Sequence, residues 1–213
     1  MTRRDDSNAG RQVDAGKPTD GDSAGDGSAD GDSAGDGLVD GTWVGSASPE
    51  TVAGRLLTDR DETLAVAESL TGGLIGSRLT DVPGSSAYFD CGFVTYAYDA
   101  KRRELGVDRE TLDAHGAVSA PVARQMAAGA RDRADTTWSV SATGVAGPGD
   151  TEEKPAGLVY VGVAYAAPWG SGESFVRSER VLLEGTRTEV KHDSVDRALG
   201  ELVRAMRDRA GAE

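Results

Sequence analysis

The sequence predicts one α/β domain with three layers, in which helices cover both faces of a mixed β-sheet. Helical and strand-like segments alternate between residues 48 and 133, which is typical of parallel strands joined by helices. Three strand-like segments then follow one another between residues 137 and 183, which is typical of antiparallel pairing. The two patterns together indicate a sheet that contains both kinds of pairing.

Caps, chain breakers and periodicity locate the individual elements. Ser48 before Pro49 predicts a helix start, because serine caps a helix and proline suits its first position. Ser119, two residues before Pro121, predicts another. The predicted strands are 63–68, 89–96, 137–143, 157–165 and 174–183, and the predicted helices begin near 49, 74, 99, 120 and 188.

Residues 1–45 are predicted to be a disordered acidic tail, and residues 46–213 to be the folded domain. The unit DGDSAGDG occurs at 20–27 and again at 30–37, and its glycine, serine and aspartate offer little apolar surface to bury. The aspartate spacing faintly resembles calcium-binding repeats. No glutamate closes such a loop, so a solvated tail is the favoured interpretation.

Charge and composition limit the classes of partner. The formal net charge is −13 and the pI is about 4.6, so we expect no nucleic-acid partner. Only four of the 23 basic residues are lysines: Lys17, Lys101, Lys154 and Lys191. Dense carboxylates with few lysines indicate adaptation to concentrated salt, where charge repulsion is screened within a few ångströms. An ordinary acidic protein with an acidic tail is the alternative.

Several other classes of protein are not expected. A single cysteine, Cys91, allows no internal disulfide, and two histidines far apart form no recognisable zinc motif. No apolar segment approaches the roughly 20 residues that span a bilayer. No hydrophobic segment follows Arg3-Arg4, so we expect neither a signal peptide nor a membrane partner. The chain is therefore expected to be a cytoplasmic protein that needs no metal and no cofactor.

The segment Ala67-Glu68-Ser69-Leu70-Thr71-Gly72-Gly73 is the strongest functional signal. It follows a short apolar segment and leads into a helix, so Ser69 is predicted at a turn from strand to helix. Backbone N–H groups at a helix N-terminus can bind an anion or stabilise an oxyanion. The chemistry is therefore expected to begin at Ser69. An ordinary tight turn is the alternative interpretation of the glycine pair.

Four loops follow predicted strands, at 69–73, 96–101, 143–149 and 184–187. Ligands in open α/β sheets bind at the carboxyl ends of strands, so these loops are predicted to meet at one pocket. Lys101 is notable because the chain otherwise uses arginine. A lysine can give up its proton and activate a serine hydroxyl, whereas an arginine cannot. A solvated lysine on a helix surface is the alternative.

The other candidate positions are less specific. The loop Gly144–Gly149 resembles a phosphate-binding loop only loosely, because it lacks the lysine that ends a P-loop and contains no GxGxxG. Arg187, before the last helix, is a candidate for a forked contact with a phosphate, or an ordinary surface arginine. Cys91 lies within a strand and is expected to be a buried structural residue. His115 is expected to be a loop or capping residue.

Several ordered segments resemble the C-terminal domain of the competence/damage-inducible CinA proteins, over about residues 48–208. The stand-alone members of that family are nicotinamide-nucleotide amidases. The matching segments are AESLTGG at 67–73, PGSS at 83–86, GFVTY at 92–96, AK at 100–101, HGAVS at 115–119, TGVAGP at 143–148 and EEKPAG at 152–157. The larger members also carry a molybdopterin-biosynthesis-like N-terminal domain, which nothing in this sequence matches.

The resemblance implies that the chain hydrolyses the carboxamide of nicotinamide mononucleotide to nicotinic acid mononucleotide and ammonia, in pyridine nucleotide salvage and without a metal. It makes Ser69 the nucleophile, Lys101 its base and Tyr96 a support for proton transfer. The expected substrate-binding residues are Thr71, Gly72, Gly73, Thr143, Gly144, Gly147 and Arg187, with Arg187 on the phosphate. An amide also requires an oxyanion site, for which the N–H groups after Ser69 are candidates.

Two positions depart from the family pattern: Asp150 replaces a further glycine, and Thr186 replaces an acidic residue before Arg187. Two other functions stay open. One is a catalytically silent module that binds a nucleotide or a partner protein, and the other is an amidase for a different phosphorylated amide. A homo-oligomer is compatible with the sequence, which does not determine the oligomeric state.

Overall fold

A mixed five-stranded sheet forms the centre of the protein, as predicted. The computed structural model describes residues 35–40, 42–147 and 154–211. A short hairpin comes first, made of β1 (Gly37–Val39) and β2 (Thr42–Val44). The strands of the sheet are β3 (Leu64–Glu68), β4 (Phe89–Val94), β5 (Trp138–Gly144), β6 (Leu158–Tyr165) and β7 (Phe175–Leu182).

The order of strands across the sheet is β4-β3-β5-β6-β7. β3 pairs in parallel with β4 and β5, whereas β6 pairs antiparallel with both β5 and β7. The carboxyl ends of β3, β4, β5 and β7 therefore lie at the same edge of the sheet. The loops after these four strands are the ones in which the sequence predicted a pocket.

Helices cover both faces of the sheet, which confirms the predicted three layers. The helices are α1 (Pro49–Asp59), α2 (Leu74–Thr80), α3 (Tyr98–Leu105), α4 (Arg109–His115), α5 (Ala120–Ala134) and α6 (Arg187–Ala210). Helices α1, α2 and α6 pack on one face, around Leu64 and Val66 of β3. Helices α3, α4 and α5 pack on the other, around Ala65 and Ala67. This alternation along β3 is the period of two that a strand imposes.

The predicted boundary of the tail at residue 45 is too late. Strands β1 and β2 occupy positions 37–44 and belong to the same compact unit as the other described residues. Leu38 of the hairpin lies against Gly200 of α6, and the Arg207 guanidinium donates a hydrogen bond to the carbonyl of Asp36. Residues 1–34, the remainder of the predicted tail, lie outside the described residues. Helix α4 was not predicted, and His115 is its last residue.

The amino-terminal edge of β3 is closed by a polar cluster around Glu62. The Glu62 carboxylate accepts a hydrogen bond from the Trp138 indole at 2.8 Å and pairs with the Arg209 guanidinium at 2.6 Å. Arg209 also donates to the Tyr165 hydroxyl. These bonds fix the end of α6 to the sheet at the edge opposite the predicted pocket. No helix in the described ranges is long and apolar enough to cross a bilayer.

Gly129 allows α5 to approach α3 closely, which gives a test of the packing. A Cβ on Gly129 would come within 1.9 Å of the carbonyl oxygen of Leu105, and a backbone atom cannot move aside cheaply. We expect Gly129→Ala to lower the free energy of unfolding by about 2 kcal/mol, as overpacking does. The measurement is denaturant unfolding in high salt.

The matched control is Gly76→Ala in α2, where the nearest atom to the added Cβ would be 3.5 Å away, an ordinary contact. Alanine stabilises a helix relative to glycine, so Gly76→Ala should leave stability unchanged or raise it by up to about 1 kcal/mol. Equal effects of the two substitutions would show that the close approach of α3 and α5 is not a constraint.

Candidate active site

The four predicted loops meet at one pocket of about 210 Å³ at the carboxyl edge of the sheet. Six of the residues predicted from the sequence line it: Ser69, Tyr96, Lys101, Thr143, Gly144 and Arg187. Thr71, Gly72, Gly73 and Gly147 do not line it. The other lining residues were not predicted as site residues, and they are Leu70, Tyr98, Ala117, Val118, Val145 and Ala146.

Ser69 and Lys101 are in direct contact at the base of the pocket. Lys101 Nζ lies 2.9 Å from Ser69 Oγ. The Lys101 side chain has no exposure to solvent, and Ser69 is 8% exposed. Nζ also donates to the carbonyl oxygens of Thr95 at 2.7 Å and Tyr96 at 3.1 Å. A lysine amine that has lost one proton carries a lone pair, which can accept the proton of a serine hydroxyl.

Strand register explains why Ser69 and Lys101 meet. Glu68, the last residue of β3, is opposite Val94, the last residue of β4, and the Thr95 N–H donates to the Glu68 carbonyl at 2.8 Å. Ser69 and Thr95 therefore leave the sheet side by side. Helix α3 begins at Tyr98 and brings Lys101 back over the same strand ends. There its Nζ is within hydrogen-bond distance of both Ser69 Oγ and the carbonyl oxygen of Thr95.

The buried Glu68 carboxylate occupies the N-terminus of α2, where the sequence predicted a site for an anion. Its two oxygens accept hydrogen bonds from the backbone N–H groups of Gly73, Ile75 and Gly76, at 2.8–3.1 Å. Glu68 is 1% exposed. Successive side chains of a strand point to opposite faces, so Glu68 faces α2 while Ser69 faces α3. A protein carboxylate thus takes the place that a ligand anion was expected to take.

Fewer amides remain for an oxyanion than the sequence suggested. The Ser69 N–H donates to the carbonyl of Ala142 at 2.9 Å and continues the pairing of β3 with β5. Within the ranges that the structure describes, the N–H groups of Leu70, Thr71 and Gly72 have no acceptor. Leu70 also lines the pocket. We therefore take these three amides as candidate oxyanion donors, in place of the amides of Gly73, Ile75 and Gly76 that Glu68 binds.

Tyr96 contributes to the site through two different groups. Its carbonyl oxygen accepts a hydrogen bond from Lys101, as described above. Its phenol, which is largely exposed, accepts a hydrogen bond from the Arg187 guanidinium at 3.1 Å. The phenol therefore links β4 to the start of α6 across the mouth of the pocket. Among the described residues, no hydrogen bond joins this phenol to Ser69 or Lys101, and its support for proton transfer stays a prediction.

The hydroxyls of Thr143 and Thr71 differ in their surroundings. Thr143 Oγ1 donates to the carbonyl of Ala117 at 2.8 Å and fixes the loop before α5 to the pocket wall. Thr71 has no solvent exposure, and its Oγ1 has no hydrogen-bond partner within the described part of the chain.

Gly72 and Gly73 both have positive φ, 64° and 103°, which only glycine adopts easily.

Lys154 stabilises another wall of the pocket. Its Nζ donates to the carbonyl oxygens of Val118 at 2.7 Å and His115 at 2.9 Å. It follows the segment 148–153, which lies outside the described residues and contains two positions discussed above, Gly149 and Asp150. Thr186, the second position that departs from the family pattern, caps α6 through a reciprocal pair of hydrogen bonds with Glu189.

Cys91 lies on β4, partly buried against the cluster that contains Ala65 and Ala67. Burial, together with a hydrogen bond from the thiol to Asp90, raises the pKa of Cys91 to about 11. A thiol with that pKa is protonated at neutral pH and is a poor nucleophile. This agrees with the structural role expected for Cys91.

The fold and the paired serine and lysine define a class of α/β protein with a candidate nucleophile at the carboxyl edge of its sheet. Residues 46–206 match the family model of the CinA C-terminal domain, and the chain belongs to that family. A CinA-like protein of Chlorobaculum tepidum is 53% identical over 157 residues, which cover 73% of this chain and 37% of that relative. The chain thus spans less than two fifths of that curated relative.

Solved structures of the family have the same fold. The competence/damage inducible protein CihA of Agrobacterium tumefaciens is 40% identical with a TM-score of 0.67, and the match covers 77% of this chain and 98% of that one. A CinA superfamily protein of Enterobacter cloacae is 30% identical with a TM-score of 0.69, over 76% of this chain and 95% of that one.

Two buried glutamates at opposite ends of β3 give a test of what Glu68 does. Glu68→Gln replaces one acceptor oxygen by an amide donor facing backbone N–H groups, and we expect it to lower the free energy of unfolding by about 2 kcal/mol. Because the same bonds hold the turn that carries Ser69, turnover should fall at least about tenfold. Glu62→Gln is the control, since it weakens a buried network at the other edge.

Stability is measured by denaturant unfolding and turnover by ammonia release, both in high salt. We expect Glu62→Gln to lose stability without a change in kcat. A Glu68→Gln protein that loses stability but keeps the kcat of the parent would mean that Glu68 stabilises α2 and does not position Ser69.

Proposed function

We propose that this chain is a nicotinamide-nucleotide amidase, which hydrolyses the carboxamide of nicotinamide mononucleotide to nicotinic acid mononucleotide and ammonia. The observation that carries the proposal is the 2.9 Å contact between Ser69 Oγ and the fully buried Lys101 Nζ. Membership of the CinA family supports it, because the stand-alone proteins that the sequence resembles have this activity.

In the proposed first step, Ser69 Oγ attacks the carboxamide carbon while Lys101 accepts the hydroxyl proton. The negative charge that develops on the carboxamide oxygen is stabilised by free backbone amides after Ser69, with Leu70 the one that also lines the pocket. The protonated Lys101 then donates its proton to the leaving nitrogen. The C–N bond breaks, ammonia leaves, and an ester joins Ser69 to the pyridine carbonyl.

In the second step, water attacks the ester and Lys101 again accepts a proton. The serine oxygen leaves and takes that proton back, which releases the acid and restores the hydroxyl. The sum is one amide and one water converted to one acid and one ammonia, and the reaction uses no cofactor. Arg187 lines the pocket and bonds the phenol of Tyr96, which supports its proposed role as a contact for the phosphate of the substrate.

The test is ammonia release from nicotinamide mononucleotide by the purified full chain in high salt. Ser69→Ala should lower kcat at least about a thousandfold. Lys101→Arg keeps the positive charge but removes the base, and it should lower kcat at least about a hundredfold. The control is Arg55→Lys on the exposed side of α1, a residue that does not line the pocket, and its kcat should stay within about threefold of the parent.

Full activity in Ser69→Ala would overturn the nucleophile, and full activity in Lys101→Arg would overturn the base. Comparison with nicotinamide and with nicotinamide adenine dinucleotide distinguishes the substrate range. Calorimetric binding of the mononucleotide without any release of ammonia would instead support the silent binding module.

A further inference from the structure

Lysine is rare in this chain, and the three described lysines all lie around the pocket. Lys101 contacts Ser69, and Lys154 bonds the carbonyl of Val118 in the pocket wall. The third, Lys191 in the first turns of α6, has its Nζ 3.9 Å from where a Cβ on Gly72 would lie. Lys191 therefore covers the glycine turn that follows Ser69.

Arg187 and Lys191 form a pair of cations on one face of α6. They are four residues apart, so their side chains are neighbours on the helix surface. Arg187 packs over Gly147, where an added Cβ would be 3.2 Å from the Arg187 Cβ, as Lys191 packs over Gly72. The stem of Arg187 thus lies against the glycine loop at Gly147, and the ammonium of Lys191 lies near the glycine turn at Gly72.

No carboxylate in the described parts of the chain forms an ion pair with either cation. Arg187 bonds the neutral phenol of Tyr96. Glu189, on the same turn, is bonded to Thr186 as a cap, and Glu68 is bonded to the amides of α2. Arginines further along α6, such as Arg197 and Arg209, do pair with glutamates.

The capping pair at Thr186 also changes how an anion would bind here. The Thr186 hydroxyl accepts from the Glu189 N–H, and the Glu189 carboxylate accepts from the Thr186 N–H. A negative side chain already occupies the N-terminus of α6. The capping pair engages the amides of Thr186 and Glu189, and Arg187 and Lys191 add two side-chain cations beside this helix end.

We propose that Lys191 is a second phosphate-binding side chain, which acts with Arg187 to select a phosphorylated amide over its unphosphorylated counterpart. This inference rests on the proposed amidase function and adds a residue that determines its specificity. A protein with net charge −13 repels a phosphate monoester at long range. Concentrated salt shortens the screening length of electrostatic interactions to about 3 Å. Selection then requires direct contacts, and two cations match the two charges of a phosphate monoester.

The first test compares substrates with and without the phosphate. We expect Lys191→Met to raise the KM for nicotinamide mononucleotide about tenfold and to leave its kcat within about twofold. The KM for nicotinamide riboside should stay unchanged. Lys191→Arg, which keeps the charge, should restore most of the loss. The control is Arg55→Met, which removes one positive charge from the exposed side of α1.

The second test does not depend on turnover. Binding of inorganic phosphate to the full-length protein is measured by calorimetry in high salt for the parent, Lys191→Met and Arg55→Met. We expect Lys191→Met to weaken phosphate binding about tenfold and Arg55→Met to leave it unchanged. Circular dichroism of each variant verifies that the fold is retained.

Different results would overturn the amidase proposal and the proposal that Lys191 binds phosphate. If no nicotinamide compound yields ammonia while Lys191→Met still weakens phosphate binding, the amidase proposal is wrong and the phosphate site stands. If the parent is an amidase but Lys191→Met changes neither the KM for the mononucleotide nor phosphate binding, the Lys191 proposal is overturned. An equal rise in KM for the mononucleotide and the riboside would also overturn it.

Discussion

The complete burial of Lys101 is the constraint on which the candidate site depends. Removing the polar amino group of a lysine from water is costly unless nearby acceptors replace its hydration, and the carbonyl groups of Thr95 and Tyr96 do so. Those carbonyls are in reach only because β3 and β4 end opposite each other and α3 turns back over the strand ends. A shift of one residue in this pairing would move the Ser69 side chain to the other face of the sheet. The site is therefore a consequence of strand register.

Glu68, the last residue of β3, and Ser69, which follows it, face opposite sides of the sheet and make different contacts. Glu68 faces α2 and binds the amides that begin this helix, while Ser69 faces α3 and contacts Lys101. Because the carboxylate occupies the helix N-terminus, the turn is held without a bound anion, and the free amides that remain are those next to Ser69. In our proposal, the phosphate of the substrate binds the cations of α6, Arg187 and Lys191.

Local sequence predicted the sheet, its flanking helices and the convergence of the four loops, because caps and apolar periodicity reflect local structure directly. It did not predict the hairpin at 37–44, which lies in a segment rich in glycine and aspartate and depends on contacts with α6. Ser69 and Lys101 were identifiable from a strand-to-helix turn and from the rarity of lysine. The link between Tyr96 and Arg187 and the position of Lys191 over Gly72 join residues that are distant along the chain, which no local pattern reveals. The bonds of Glu68 connect residues close in sequence, but a carboxylate at the end of a strand is not a usual helix cap and was not predicted.

The central claim is that Ser69 forms a covalent ester with the substrate while Lys101 carries the proton. The most direct measurement is to quench the enzyme with acid at short times during turnover of nicotinamide mononucleotide and to map acylated peptides by mass spectrometry. The account predicts an ester on Ser69, in the peptide that joins β3 to α2. An acyl group on another residue, or continued turnover with Ser69 unmodified at every quench time, would contradict it.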